Sequence, residues 1–156
     1  MLYEQLQDLF GSYFLQCSLV AWFIAQLIKT ILTYVQLGSI NLERMVGSGG
    51  FPSSHTALVV ALTTAVGLRD GLGSDLFAVS LIFALIVMYD ASGIRRAAGR
   101  QAQILNQLVR HLATRQIQIK GDGKLLKELL GHTPFEVFGG TFLGIGVALI
   151  FYWFKL

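Results

Sequence analysis

The strongest constraint on this chain is how little charge interrupts its apolar runs. From Phe10 to Val35 the only charged side chain is Lys29, near the C-terminal end of the run. About 20 apolar residues are enough for a helix to cross a bilayer, so this stretch reads as one span. Shorter runs follow from Thr56 to Leu68 and from Leu76 to Tyr89, and a long one from Phe135 to Phe154 with Tyr152 and Trp153 near its end, where interfacial aromatics are common. Charged residues make up 13% of the 156 residues, against about 25% in a soluble domain. The sequence therefore predicts an all-α, polytopic membrane helix bundle over residues 1–156, one domain, with about four transmembrane helices at 10–35, 53–69, 75–90 and 134–154.

The connection from Ala91 to Thr133 has a different pattern. Ile94, Ala97, Ala98, Gln101, Ile104, Leu105, Leu108 and Leu112 recur at three- and four-residue spacing, with arginines on the other face. That predicts an amphipathic helix over about 93–118, lying on the membrane surface or packed on the bundle. Gly121-Asp122-Gly123 reads as a turn and Lys124 to Leu130 as a further short helix.

Eight Lys or Arg residues fall in this connection: Arg95, Arg96, Arg100, Arg110, Arg115, Lys120, Lys124 and Lys127. The positive-inside rule puts it in the cytoplasm, and the amphipathic helix with it. Counting back two crossings puts the glycine-rich loop at 36–54 on the same side. The inference is an integral membrane protein of the bacterial inner membrane, with its polar residues gathered at the cytoplasmic face. The clustering of basic charge beside spans argues against a nucleic-acid partner. The first ten residues carry Glu4 and Asp8 but no Lys or Arg, so a cleavable signal peptide is not expected. Cys17 is a lone cysteine in an apolar run and reads as a small packed residue.

Three segments at that face carry groups capable of chemistry. Gly49-Gly50-Phe51-Pro52-Ser53-Ser54-His55 is a glycine-rich loop running into a helix start. Free backbone N–H groups and the helix dipole favour an anion there, with the Ser53 and Ser54 hydroxyls as added donors and His55 as a titratable group. The plainer reading is a serine helix cap. His132-Thr133-Pro134-Phe135-Glu136 carries a capping box, with Thr133 as cap and Glu136 three residues on. Glu136 is also placed to hold one nitrogen of His132 and leave the other free to attack. One carboxylate can serve both purposes if it is shared.

The third segment is Tyr89-Asp90-Ala91-Ser92-Gly93-Ile94-Arg95-Arg96. Arg95 and Arg96 suit a phosphate, or serve only as positive anchors at the membrane boundary. Asp90 is a partner for either arginine. Lys29 either snorkels to the interface or meets an anion. His111 reads as a surface residue. No HExxH-type spacing is present, so no metal and no cofactor are expected. A transporter would need a polar path, and spans two to four offer little beyond Thr63, Thr64, Ser80 and Thr141.

At Pro52-Ser53-Ser54-His55 and at His132-xxx-Glu136-xx-Gly139-Gly140 the chain resembles the type-two phosphatidic acid phosphatase superfamily, which includes the vanadium haloperoxidases. Gly49 to Ala57, Met88 to Asn106 and Leu130 to Gly144 look like its divergent branch of small bacterial and plastid membrane proteins. The resemblance implies His132 as a nucleophile forming a phosphohistidine and Glu136, where the superfamily usually has Asp, as the acid that orients it. It implies His55 as the general acid and Ser53, Ser54 and the loop backbone, with Gly50 in support, as phosphate ligands. Two superfamily cations have no counterpart: Gln36 follows Lys29 at the distance of the Arg-Pro pair, and Leu126 stands six residues before His132. Lys29, Arg95 and Arg96 are the cations left to hold phosphate, with Asp90 in support. The expected activity is metal-independent hydrolysis of a lipid phosphate or lipid pyrophosphate, on a substrate drawn from the bilayer. The alternative is a non-catalytic membrane protein binding anionic headgroups or a partner protein. The sequence leaves room for a homo-oligomer.

Overall fold

The computed structural model describes residues 1–38, 50–114, 126 and 131–155. Gly49, Arg115, Lys120, Lys124, Lys127, the Gly121-Asp122-Gly123 turn, the expected helix at 124–130 apart from Leu126, and the last residues of the expected amphipathic helix lie outside them. Every element among the described residues is helical. They are α1 (Leu2–Gly11), α2 (Tyr13–Leu37), α3 (Ser54–Asp70), α4 (Asp75–Ser92), α5 (Ile94–Thr114) and α6 (Pro134–Lys155).

The helix bundle agrees with the sequence reading, with two differences in detail. The first apolar run is preceded by a separate, largely exposed helix, α1, which ends at Gly11 and is divided from α2 by Ser12 in an extended conformation. Three described stretches are long and apolar enough to cross a membrane: Tyr13–Gln36, Asp75–Leu112 and Pro134–Phe154. The expected second span, α3, has 17 residues. At 1.5 Å per residue that is about 25 Å, at the short end for a crossing of a roughly 30 Å core.

The position of α3 accounts for its length. It sits at the centre, packed on α6, α2 and α4, which bury most of its residues. Apolar helices gain little from burial against one another in lipid, and association rests on close van der Waals packing between small residues. Ala57, Ala61 and Ala65 of α3 repeat every fourth residue and are fully buried. They face Gly140, Gly144 and Ala148 of α6, also at four-residue spacing. A Cβ on Gly140 would strike the Ser53 carbonyl and the Thr56 side chain, and one on Gly144 the Ala57 carbonyl. On the other side, Thr63 donates its hydroxyl to the carbonyls of Val59 and Ser80, at 2.9 and 3.0 Å, tying α3 to α4.

Candidate functional site

The α3–α6 packing fixes where the first turns of both helices lie. Ser53 caps α3, its Oγ accepting from the Thr56 N–H at 3.3 Å and the Thr56 hydroxyl at 2.9 Å. The Ser53 N–H in turn donates to the Glu136 carbonyl at 2.9 Å, stitching the loop before α3 to the start of α6. Phe51 stacks on Phe135, ring centroids 5.1 Å apart, and lies against Gly139.

A second set of backbone contacts brings in the α4–α5 junction. The His132 N–H donates to the Ala91 carbonyl at 2.8 Å. Gly131, at φ +85°, lies so close to the Arg95–Arg96 peptide that any Cβ there would overlap it. Lys29 arrives from α2, and its aliphatic chain passes beneath Gly50, where a Cβ would sit 3.4 Å from Lys29 Cγ. Lys29 is 3% exposed, so of its two sequence readings snorkelling gives way to a buried side chain. Its charge acts on both Glu136 and His55.

His132 is 2% exposed. Its Nδ1 lies 2.8 Å from Glu136 Oε2. That oxygen also accepts the Thr133 N–H at 3.2 Å, while the Glu136 N–H donates to Thr133 Oγ1 at 3.3 Å. The capping box and the histidine contact thus share one carboxylate. An ionised carboxylate only accepts, so in the neutral imidazole Nδ1 carries the proton and Nε2 the lone pair. Among the described residues Nε2 is buried and has no hydrogen-bond partner. Buried polar atoms are almost always paired, so a polar partner for this nitrogen is expected here.

The His55 ring stands 6.4 Å from the His132 ring, centroid to centroid, tilted by 60°. Two imidazoles separated by the sequence from 55 to 132 therefore lie within reach of one phosphate group, at one end of the bundle. His55 also feels the charges of Arg95 and Lys29. The two arginines are more peripheral. Arg95 Nε is bound to Asp90 Oδ2 at 2.6 Å with both side chains partly in solvent, and Arg96 is exposed. Ser53 and Ser54 are buried, and the Ser53 oxygen is already engaged in the cap. His111 is exposed, as the sequence suggests.

Sequence reasoning missed the Ala91 carbonyl, the Gly131 contact and a clamp formed by Asn106. Asn106 is buried on α5 and binds the Leu126 backbone twice, donating to its carbonyl at 2.8 Å and accepting from its N–H at 2.9 Å. The only available signal was a glycine directly before His132-Thr133-Pro134. Among the described residues no group of three His, Cys, Asp or Glu is placed to hold a metal ion.

Beside this site a groove of about 450 Å³ opens between α4 and α6. Leu85, Met88, Tyr89 and Ser92 line one wall and Pro134, Val137 and Phe138 the other. Its walls are apolar, and its Ser92–Pro134 end adjoins Ala91 and His132.

A family model described as the divergent PAP2 family matches residues 10–147. The uncharacterized membrane protein YuiD of Bacillus subtilis (strain 168) is 42% identical over 155 residues, covering 94% of this chain and 98% of that protein. No solved structure matches.

Proposed function

Because the chain belongs to the divergent PAP2 family, we propose that it hydrolyses a lipid phosphate or lipid pyrophosphate through a phosphohistidine on His132. The observation that carries this reading is the buried Nε2 of His132, without a partner among the described residues, with Nδ1 held by Glu136 and the His55 ring 6.4 Å away.

The steps follow from that arrangement. The Nε2 lone pair attacks phosphorus in line, the N–P bond forms and the bond from phosphorus to the leaving oxygen breaks. Protonated His55 gives its proton to that oxygen, and the alcohol or lipid monophosphate departs. Glu136 balances the positive charge that develops on the His132 ring. Neutral His55 then takes a proton from water as the water oxygen attacks phosphorus, the N–P bond breaks, and inorganic phosphate leaves with His132 restored. Lys29 and the N-terminal turn of α3 stabilise the phosphoryl oxygens, with Arg95 and Arg96 at the rim. The apolar groove between α4 and α6 suits a hydrocarbon chain whose phosphate end reaches His132. On this reading the chain spans a bacterial inner membrane with this end of the bundle toward the cytoplasm, which the basic charge of the 91–133 connection supports.

One observation favours a second reading, a headgroup-binding protein without turnover. Position 126 carries a leucine whose backbone is clamped by Asn106, so it supplies no cation to the phosphate. Purified protein in detergent, given long-chain lipid phosphates, separates the two. Phosphate release that disappears in His132→Ala, with a phosphorylated parent protein trapped on rapid quenching, supports hydrolysis. Binding of the same lipids with no release and no phosphohistidine establishes the second reading.

A further inference from the structure

Helix α5 presents its apolar arc to the outside. Ile104 is 59% exposed, Leu108 53% and Leu105 48%, with Ile94 and Val109 exposed beside them. Its buried side is a different one, formed by Gly99, Ala102 and Asn106. Among the described helices only α4 packs against it. A helix built this way in water would expose a continuous apolar stripe about 30 Å long, counting 1.5 Å for each of its 21 residues.

Two further observations say what covers that stripe. The N-terminus of α5 is fixed at the membrane boundary, since it follows the span α4 after Gly93 and its Arg95–Arg96 peptide packs on Gly131 just before the span α6. Over its whole length α5 contains no Asp or Glu, but it carries Arg95, Arg96, Arg100 and Arg110, all off the apolar arc and all exposed. Apolar residues on one arc, cations flanking them and no acid are the pattern of a helix lying in the interface of an anionic leaflet. A second copy of this chain would bring the same cations against one another.

We infer that α5 is seated in the leaflet on the site's side of the membrane, Ile104, Leu105 and Leu108 in the acyl boundary and its arginines among anionic headgroups. This does not depend on catalysis. The test uses the full chain in nanodiscs of equal parts phosphatidylglycerol and phosphatidylcholine. Nitroxides are attached to Leu105→Cys and Leu108→Cys, and to Gln103→Cys and Gln107→Cys on the opposite arc. Native Cys17 is fully buried, and the unsubstituted protein carried through labelling gives the blank.

The expected result is an oxygen-to-nickel-chelate accessibility ratio several-fold higher at 105 and 108 than at 103 and 107. That contrast should shrink in pure phosphatidylcholine and in the Arg100→Gln/Arg110→Gln background. Labels at 105 and 108 as open to nickel as those at 103 and 107 would overturn the inference. So would labels closed to both reagents, spin–spin broadening between copies, or a contrast indifferent to anionic lipid and to the two arginines.

Discussion

His132 Nδ1 and Glu136 Oε2 are 2.8 Å apart, and the same oxygen takes the Thr133 N–H at 3.2 Å. One carboxylate therefore sets both the tautomer of the histidine and the start of α6. Glu136→Gln separates these roles, because an amide oxygen still accepts both N–H groups but carries no charge to balance an imidazolium. Turnover should fall by about 100- to 10,000-fold, while stability changes by less than about 1 kcal/mol. Steady-state kinetics beside a thermal unfolding curve check both halves. Equal activity in parent and variant would remove Glu136 from the chemistry.

His55 has a role that depends on the leaving group. If its proton goes to the departing oxygen, His55→Ala should slow hydrolysis of an alkyl phosphate by about 100-fold or more. A nitrophenyl phosphate, whose leaving group needs no proton, should be affected far less in the phosphorylation step. Single-turnover measurements on the two substrates decide this. An equal loss on both would make His55 a binding residue only.

The sequence alone carries the end-to-end logic of this site, because span alternation needs only apolar length and loop charge. It put Lys29, His55, Asp90 and His132 at one end of the bundle, and the capping box at Thr133–Glu136 was legible because its spacing is local. Lys29 was harder, since an ammonium near the end of an apolar run snorkels or is buried depending on what lies above it, here Gly50. The contacts that align the site were not legible. Gly131 against the Arg95–Arg96 peptide and His132 on the Ala91 carbonyl are backbone meetings between distant segments, and no side-chain pattern announces them. Helix α1 was missed, although Leu2, Leu6, Leu9 and Phe10 recur at helical spacing, because ten residues set directly before a long apolar run read as its flank.

The α3–α6 seam makes a sharp stability comparison within one helix. A Cβ at Gly144 would strike the Ala57 carbonyl and the backbone nitrogen of Ala61, whereas nothing lies within 4 Å of one at Gly146. Gly144→Val should destabilise the protein by about 1–3 kcal/mol or more, since the obstacle is backbone and cannot rotate away. Gly146→Val changes the same residue type two positions on and should leave stability within about 0.5 kcal/mol. Equal melting temperatures for the two variants in detergent would mean that α3 and α6 do not meet in this register.

The groove between α4 and α6 predicts a dependence on chain length. Val137 lines its wall one residue beyond Glu136 and belongs to no polar contact with His132 or His55. A Val137→Trp side chain would occupy the space proposed for the hydrocarbon chain without touching the groups proposed to act on phosphorus. KM for a long-chain lipid phosphate should rise by about tenfold, the equivalent of 1.4 kcal/mol, with kcat on a short, water-soluble phosphate ester unchanged. The reasoning requires the two substrates to diverge. If both lose kcat together, the tryptophan has displaced α6 and its first turn, and the groove is structural packing; if neither changes, the chain lies elsewhere on the bundle.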